Sequence, residues 1–175
     1  FLHRRFSFRD FKRVGVAIYA NGVEDLSSIH GQIGQYPDFI HVDIVDSSFT
    51  SSPEEVKAYR METIKAFWRN REIHTHIMSK TPSRWLSEVL PYSDIVYIHW
   101  ECDEDIKAVL GTIHKAGKKA GLALTMKTTL DDVKEIFKQI DAILLLTISE
   151  PGHSGQKFDM EGLKRIEELD KLPFR

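Results

Sequence analysis

The run Phe39-Ile40-His41-Val42-Asp43-Ile44-Val45-Asp46 places an imidazole and a carboxylate two residues apart in what otherwise has the composition of a buried β-strand. Residues i and i+2 of a strand point to the same face, so His41 and Asp43 project together while Val42 and Ile44 face the other way. A second run, His74-Thr75-His76-Ile77-Met78, repeats the arrangement. Side by side, two such strands can surround one divalent ion with nitrogen and oxygen ligands. The same residues also suit hydrogen-bonded polar pairs inside a sheet, and spacing alone leaves both roles open.

The elements that must position these residues belong to a chain of 175 residues, 42% hydrophobic and 29% charged, which is enough to bury one sizeable core. Lysine and arginine total 24 against 26 acids, for a net charge of −2. No extended basic face appears, so nucleic acid is not the expected partner and a small molecule is. The lone Cys102 rules out an internal disulfide framework and fits a reducing, cytoplasmic compartment. No apolar run approaches the ~20 residues of a membrane span. Phe1-Leu2-His3-Arg4-Arg5 has neither an initiator Met nor a signal-peptide core, so the chain is expected to begin mid-sequence. Residues 1–13 carry five cations, one acid and phenylalanines at 1, 6, 8 and 11. They read as a linker from an upstream domain or a segment laid over the bottom of the fold, and residues 14–175 as the domain proper.

Within that domain, β-rich apolar runs recur at about Val14 to Tyr19, Asp38 to Val45, Ile73 to Met78, Ile95 to Trp100, Ala120 to Thr125 and Ile143 to Ser149. Segments with helical spacing separate them. Leu130, Val133, Ile136, Phe137 and Ile140 form one stripe, opened by Thr128 or Thr129 with an acid three residues on. Ile106, Val109, Leu110 and Ile113 form another, which Gly117 can end in a left-handed cap. Thr81-Pro82 opens a third, carrying Trp85, Leu86, Val89 and Leu90, and Leu163, Ile166 and Leu169 mark the last. Alternating β and α units predict a parallel sheet covered by helices. A doubly wound sheet usually carries a glycine-rich loop after its first strand, where this chain has only Ala20-Asn21-Gly22. Asp46, Met78, Glu101, Thr125 and Glu150 lie at C-terminal strand ends, and the polar His41, Asp43 and His76 project to one face, which together favour a TIM (β/α)8 barrel with its mouth as the active site, of which about six βα units are present.

His41-Val42-Asp43-Ile44-Val45-Asp46, His76-Ile77-Met78 with Pro82, His99-Trp100-Glu101, Gly121-Leu122-Ala123-Leu124 and Pro151-Gly152-His153-Ser154-Gly155-Gln156-Lys157-Phe158 stand in the order and near the spacing found in ribulose-phosphate 3-epimerases, and the chain resembles that family from about Val14 to Leu169. The resemblance implies an isomerase that interconverts ribulose 5-phosphate and xylulose 5-phosphate in pentose phosphate metabolism with one divalent metal ion (Zn, Fe, Mn or Co). By resemblance, His41, Asp43 and His76 fall on metal ligands. Asp43 also falls on one of two acid/base carboxylates, and Met78, Gly152, His153, Ser154 and Gly155 fall on the substrate and phosphate grip. His99 and Glu101 read as groups that orient ligands. His74 reads as an interior polar residue, and Trp68, Trp85 and Trp100 as packing residues.

The chemistry suits these residue types. Epimerisation beside a carbonyl removes a proton from one face and returns one to the other, so two carboxyl groups must flank the substrate. A cation on the ene-diolate oxygens stabilises the developing charge. Gly152 and Gly155 allow backbone N–H groups to approach a phosphate, with a helix expected to begin near Asp159.

This chain also departs from the family pattern. Tyr19, or Ala20 if the register slips by one, stands for a serine, Val45 and Thr147 for methionines, Ser47-Ser48 for Gly-His, Thr125-Met126 for Asn-Pro, and His153 and Ser154 for an aromatic and a glycine. The family's strands 7 and 8, with a fourth ligand and the second carboxylate, have no counterpart. The expected function is therefore C3 epimerisation of a ketose phosphate, with a homo-oligomer or a neighbouring domain as a further partner. The alternative is a catalytically degenerate sugar-phosphate-binding or scaffolding barrel. Decarboxylases and aldolases of related barrels generally want Asp-x-Lys on a strand, and none occurs at the right place.

Overall fold

The computed structural model describes residues 12–19, 25–50, 60–153 and 155–171. Six strands form one parallel sheet in sequential order: β1 (Gly15–Tyr19), β2 (Phe39–Val45), β3 (Glu72–Met78), β4 (Ile95–His99), β5 (Lys119–Leu124) and β6 (Ala142–Leu145). Between and after them come α1 (Leu26–Ile33), α2 (Met61–Phe67), α3 (Ser83–Val89), α4 (Ile106–Lys115), α5 (Leu130–Val133) and α6 (Glu161–Asp170). The strand order never reverses, so right-handed crossovers place the helices on one side, as in a barrel and unlike a doubly wound sheet. Register supports this. Phe39 of β2 faces Glu72 of β3, but β4 begins opposite His74, two residues further along β3, and β6 begins opposite Gly121, two residues along β5. Stagger in one direction tilts strands and curls a sheet towards closure.

Alternation divides the side chains between two layers. Ile40, Val42, Ile44, Ile73, Ile77, Val96, Ile98 and Leu122 face the helices and join Leu26, Ile64, Trp68, Leu86, Leu110 and Ile113 in the main core. On the concave side a smaller cluster holds Ile95, Tyr97 and Ala123, with Ala142 and Leu144 against it. A Cβ on Gly121 would lie 2.3 Å from Cδ1 of Tyr97, so only glycine lets that ring rest on β5.

Most predicted elements are present, with three differences. β6 stops at Leu145 and not Ser149, because β5 ends at Leu124 and Leu146 N–H makes the last bond to it, 3.0 Å to the Leu124 carbonyl. The expected helix from Leu130 runs α-helically only to Val133 and continues as a 3₁₀ turn over Lys134–Gln139, whose three-residue repeat sets both Val133 and Ile136 into the core. Its start is Thr129, which forms a capping box with Asp132. In α6 the apolar stripe faces solvent: Leu163 and Ile166 are each 45% exposed, while Gly162 and Arg165 are buried. The reason is close docking, since a Cβ on Gly162 would come within 2.7 Å of Thr147 Cγ2. Gly117, at φ 74°, follows α4 as expected. No helix among the described residues is long and apolar enough to cross a membrane.

Among the described residues β1 pairs only with β2, and β6 only with β5. Neither outer strand carries a charge, and uncharged parallel edges invite pairing with another chain. A polypeptide of these 175 residues is therefore expected to self-associate. A monodisperse monomer in size-exclusion chromatography with light scattering would contradict this.

Candidate functional site

The site is built on the concave face of β2 and β3. The register sets Asp43 beside His76 and His41 beside His74. Asp43 Oδ1 lies 2.9 Å from His76 Nδ1 and 3.2 Å from His41 Nε2. One ligand atom from each of the three residues lies within 4.8 Å of the others. His76 is buried, whereas His41 and Asp43 open to the mouth.

Burial alone would raise the Asp43 pKa, yet the hydrogen bonds and charges of His41 and His76 outweigh it and hold the carboxyl well below the usual range. Burial pushes the His76 ring down to about 4, against the pull of Asp43. Near neutral pH the cluster thus offers an anionic oxygen and an unprotonated ring nitrogen, which suits a borderline divalent cation. The donor set present fits such an ion.

His74 stays apart from this cluster, stacked on Phe39 at 4.1 Å and 16° with its Nε2 3.4 Å from Glu72. That is the interior polar role expected of it. His99 lies one layer nearer the mouth, its Nε2 2.8 Å from His76 Nε2 and its Nδ1 2.9 Å from Glu101 Oε2. The other Glu101 oxygen accepts from the Thr125 N–H at 3.1 Å, the Thr125 hydroxyl at 2.7 Å and the Thr128 hydroxyl. Burial works to raise the Glu101 pKa, but its bonds from His99, Thr128 and Thr125 bring it down to about 2. Met78 is buried at the end of β3, in register with Val45.

The segment after β6 curls back towards β2. Gly152 and Gly155 adopt φ of 87° and 78°, which favours glycine. A Cβ on Gly152 would sit 3.3 Å from Val45 Cγ1, and His153 Nε2 lies 3.2 Å from the Thr50 hydroxyl. The Gln156 amide closes the turn, donating to the carbonyls of Glu150 at 2.6 Å and His153 at 2.8 Å. Ser154 and the Tyr19 side chain lie outside the described residues.

Sequence reasoning missed two groups. Arg165 was not singled out from the sequence, yet it donates to the carbonyls of Thr125 at 2.8 Å and Thr128 at 2.6 Å. Asp46 was marked only by its place at a strand end. It is a buried acceptor for Ser48, for Ser79 at 2.5 Å and for Trp85 at 3.0 Å. The nearby Ser48 and Ser79 were the available signal, since short hydroxyl side chains close such turns.

The lowered pKa values predict how stability varies with pH. Below its ordinary pKa of 6.5 an unfolded His76 takes up a proton, while the folded ring waits until about 4, so stability falls across that window by an amount on the order of 3 kcal/mol. Glu101 adds a further loss as pH falls from its ordinary 4.5 towards about 2. Urea unfolding of the chelator-treated chain should show the decline beginning near pH 6.5. A midpoint unchanged down to pH 4.5 would contradict it.

The sequence model of the ribulose-phosphate 3 epimerase family matches residues 16–174. The chain belongs to the ribulose-phosphate 3-epimerase family. Two curated ribulose-phosphate 3-epimerases illustrate the distance within it. The protein from Schizosaccharomyces pombe is 28% identical over 91% of this chain and 71% of its own length. The one from Chlamydia trachomatis is 32% identical over 74% of this chain and 55% of its own. The chain thus spans about half to seven tenths of these epimerases. Among solved structures, a GH18 chitinase of Flavobacterium johnsoniae superposes with a TM-score of 0.50 at 11% identity, covering 90% of this chain and 64% of that one. That likeness concerns the fold alone. Every site residue from His41 to Gly155 falls inside the span matched by the epimerase family.

Proposed function

We propose that this chain carries the metal-holding and proton-abstracting part of an epimerase that acts at C3 of a ketose phosphate of the ribulose 5-phosphate and xylulose 5-phosphate type. The observation that carries this reading is the convergence of His41 and His76 on one carboxylate oxygen of Asp43, in a member of the epimerase family. A divalent ion (Zn, Fe, Mn or Co) held by these three would act as a Lewis acid for the charge that develops on the ene-diolate oxygens.

Asp43 is the base that takes the C3 proton onto its carboxylate. A carboxyl held so far towards the ionised form is a weak base, so abstraction depends on how far the neighbouring carbonyl acidifies that proton. Met78 helps keep water from the mouth, and the backbone N–H groups of Gly152 to Gly155 grip the phosphate. His153 and Ser154 shape that grip. Returning a proton to the opposite face needs a second carboxyl. Glu72 is committed to Arg13 and His74, and Glu101 to His99, Thr125 and Thr128, so neither supplies it. The lone cysteine, Cys102, fits a reducing, cytoplasmic setting.

Elemental analysis of the parent chain against His41→Ala and His76→Ala tests the site, and exchange of the C3 proton of ribulose 5-phosphate with deuterated solvent tests the reaction. The parent should hold one ion and each variant markedly less. Equal metal content in all three would overturn the reading. A loaded chain that binds the sugar phosphate without exchange would favour the second reading, a barrel that binds without turnover, to which the commitment of Glu72 and Glu101 points.

A further inference from the structure

Asp43, His76, His99 and Glu101 form an unbroken line of polar contacts across β2, β3 and β4. Its links are 2.9 Å between Asp43 Oδ1 and His76 Nδ1, 2.8 Å between the two Nε2 atoms, and 2.9 Å between His99 Nδ1 and Glu101 Oε2. Three links need three protons to be three hydrogen bonds. When both rings are neutral they carry only two N–H groups, and ionised carboxylates carry none. One link then stands without a proton.

The surroundings of Glu101 indicate which link that is. Its other oxygen is held by the Thr125 N–H and by the Thr125 and Thr128 hydroxyls, and those two residues are fixed in turn by Arg165 through their carbonyls. Glu101 is thus a rigid, acceptor-only group facing a fully buried ring. If His99 donates its Nδ1–H to Glu101, its Nε2 is a bare acceptor and takes the Nε2–H of His76. His76 Nδ1 is then bare, facing Asp43 where His41 also converges. The opposite polarity would set a bare His99 nitrogen against a buried carboxylate and aim an N–H into the candidate ion site.

Resting on the metal reading above, we infer that Glu101 is a positioning residue that acts through His99 to hold His76 in its Nε2–H tautomer, directing the Nδ1 lone pair at the divalent ion shared with Asp43 and His41. The protonless link and the cation site are then the same place, and the ion's charge takes the part of the missing proton. Arg165 and Thr128 anchor the far end of the line.

The test is long-range ¹H–¹⁵N correlation on the zinc-loaded full chain with ¹⁵N-labelled histidine, together with zinc affinity by competition with a chromophoric chelator. The expected spectrum shows His99 protonated on Nδ1, and His76 protonated on Nε2 with a zinc-shifted Nδ1. In Glu101→Gln, whose amide can donate as well as accept, His99 should lose its single tautomer, and zinc affinity should fall roughly 10- to 100-fold with the circular dichroism unchanged. His99 protonated on Nε2 in the loaded parent would overturn the relay alone, and this holds even if the variant fails to fold. Parent-like affinity in a folded Glu101→Gln would do the same. Absence of zinc uptake by the parent would overturn the metal reading and the relay with it.

Discussion

Replacing Asp43 with asparagine is expected to abolish exchange of the substrate's C3 proton with solvent while leaving the fold in place. Asparagine keeps the shape and one acceptor oxygen for His41 and His76, so the local hydrogen bonds at 3.2 and 2.9 Å can largely persist. It cannot take up a proton as a carboxylate does, and it removes the single anion of the candidate metal site. Losing a positioned base costs about a hundredfold to ten-thousandfold. Losing the charge that holds the cation adds to that, so activity should drop by at least about a thousandfold. Deuterium incorporation at C3, followed by proton NMR, reads the effect directly. Retained exchange would place the base elsewhere.

Replacing Asp46 with alanine should cost about 3–5 kcal/mol of folding stability, the range for breaking a buried charged network from one side. The carboxylate is 1% exposed and gathers donors from three segments. These are the Ser48 N–H at 3.0 Å and its hydroxyl after β2, the Ser79 hydroxyl at 2.5 Å after β3, and the Trp85 indole at 3.0 Å on α3. Alanine leaves the indole N–H and the Ser79 hydroxyl buried without their acceptor. Burial disfavours the charge, but these bonds outweigh it and lower the pKa, so the contribution is present above the ordinary carboxylate range and lost as pH falls through the folded value. Urea unfolding of Asp46→Ala, Trp85→Phe and the double variant should show strong non-additivity. A loss under about 1 kcal/mol for Asp46→Ala would show that the network is not holding the strand ends together.

The parallel sheet was legible because each strand is an apolar run of the expected length, and the ion cluster because period-two alternation sets His41 with Asp43 on the face that His76 shares. The limits of legibility are physical too. His99 is in register with Ala123 of β5 and one step beyond Tyr97, the residue opposite His76, so its contact with His76 is diagonal and depends on a stagger that no single strand encodes. The end of β6 depended on the length of β5. The docked face of α6 was decided by Gly162 against Thr147 and by Arg165 reaching two carbonyls, whereas the periodicity of Leu163 and Ile166 pointed to the opposite face. Asp46 illustrates the same limit, since a lone acid in a sequence does not announce that donors from three segments will converge on it.

The division of each strand between a helix-facing layer and a concave layer has a consequence for heritable change. Most of the apolar burial that stabilises the chain involves Ile40, Val42, Ile44, Ile73, Ile77 and their helix partners, while the groups suited to chemistry sit at intervening positions on the same strands. Point mutations at His41 and Asp43 of β2 can therefore alter what the mouth binds with little effect on the core, whereas those at Ile40, Val42 and Ile44, and at the core residue Val45, strike the packing that keeps the chain folded. A lineage carrying this fold can drift in specificity one residue at a time, along a face that contributes little to keeping it folded.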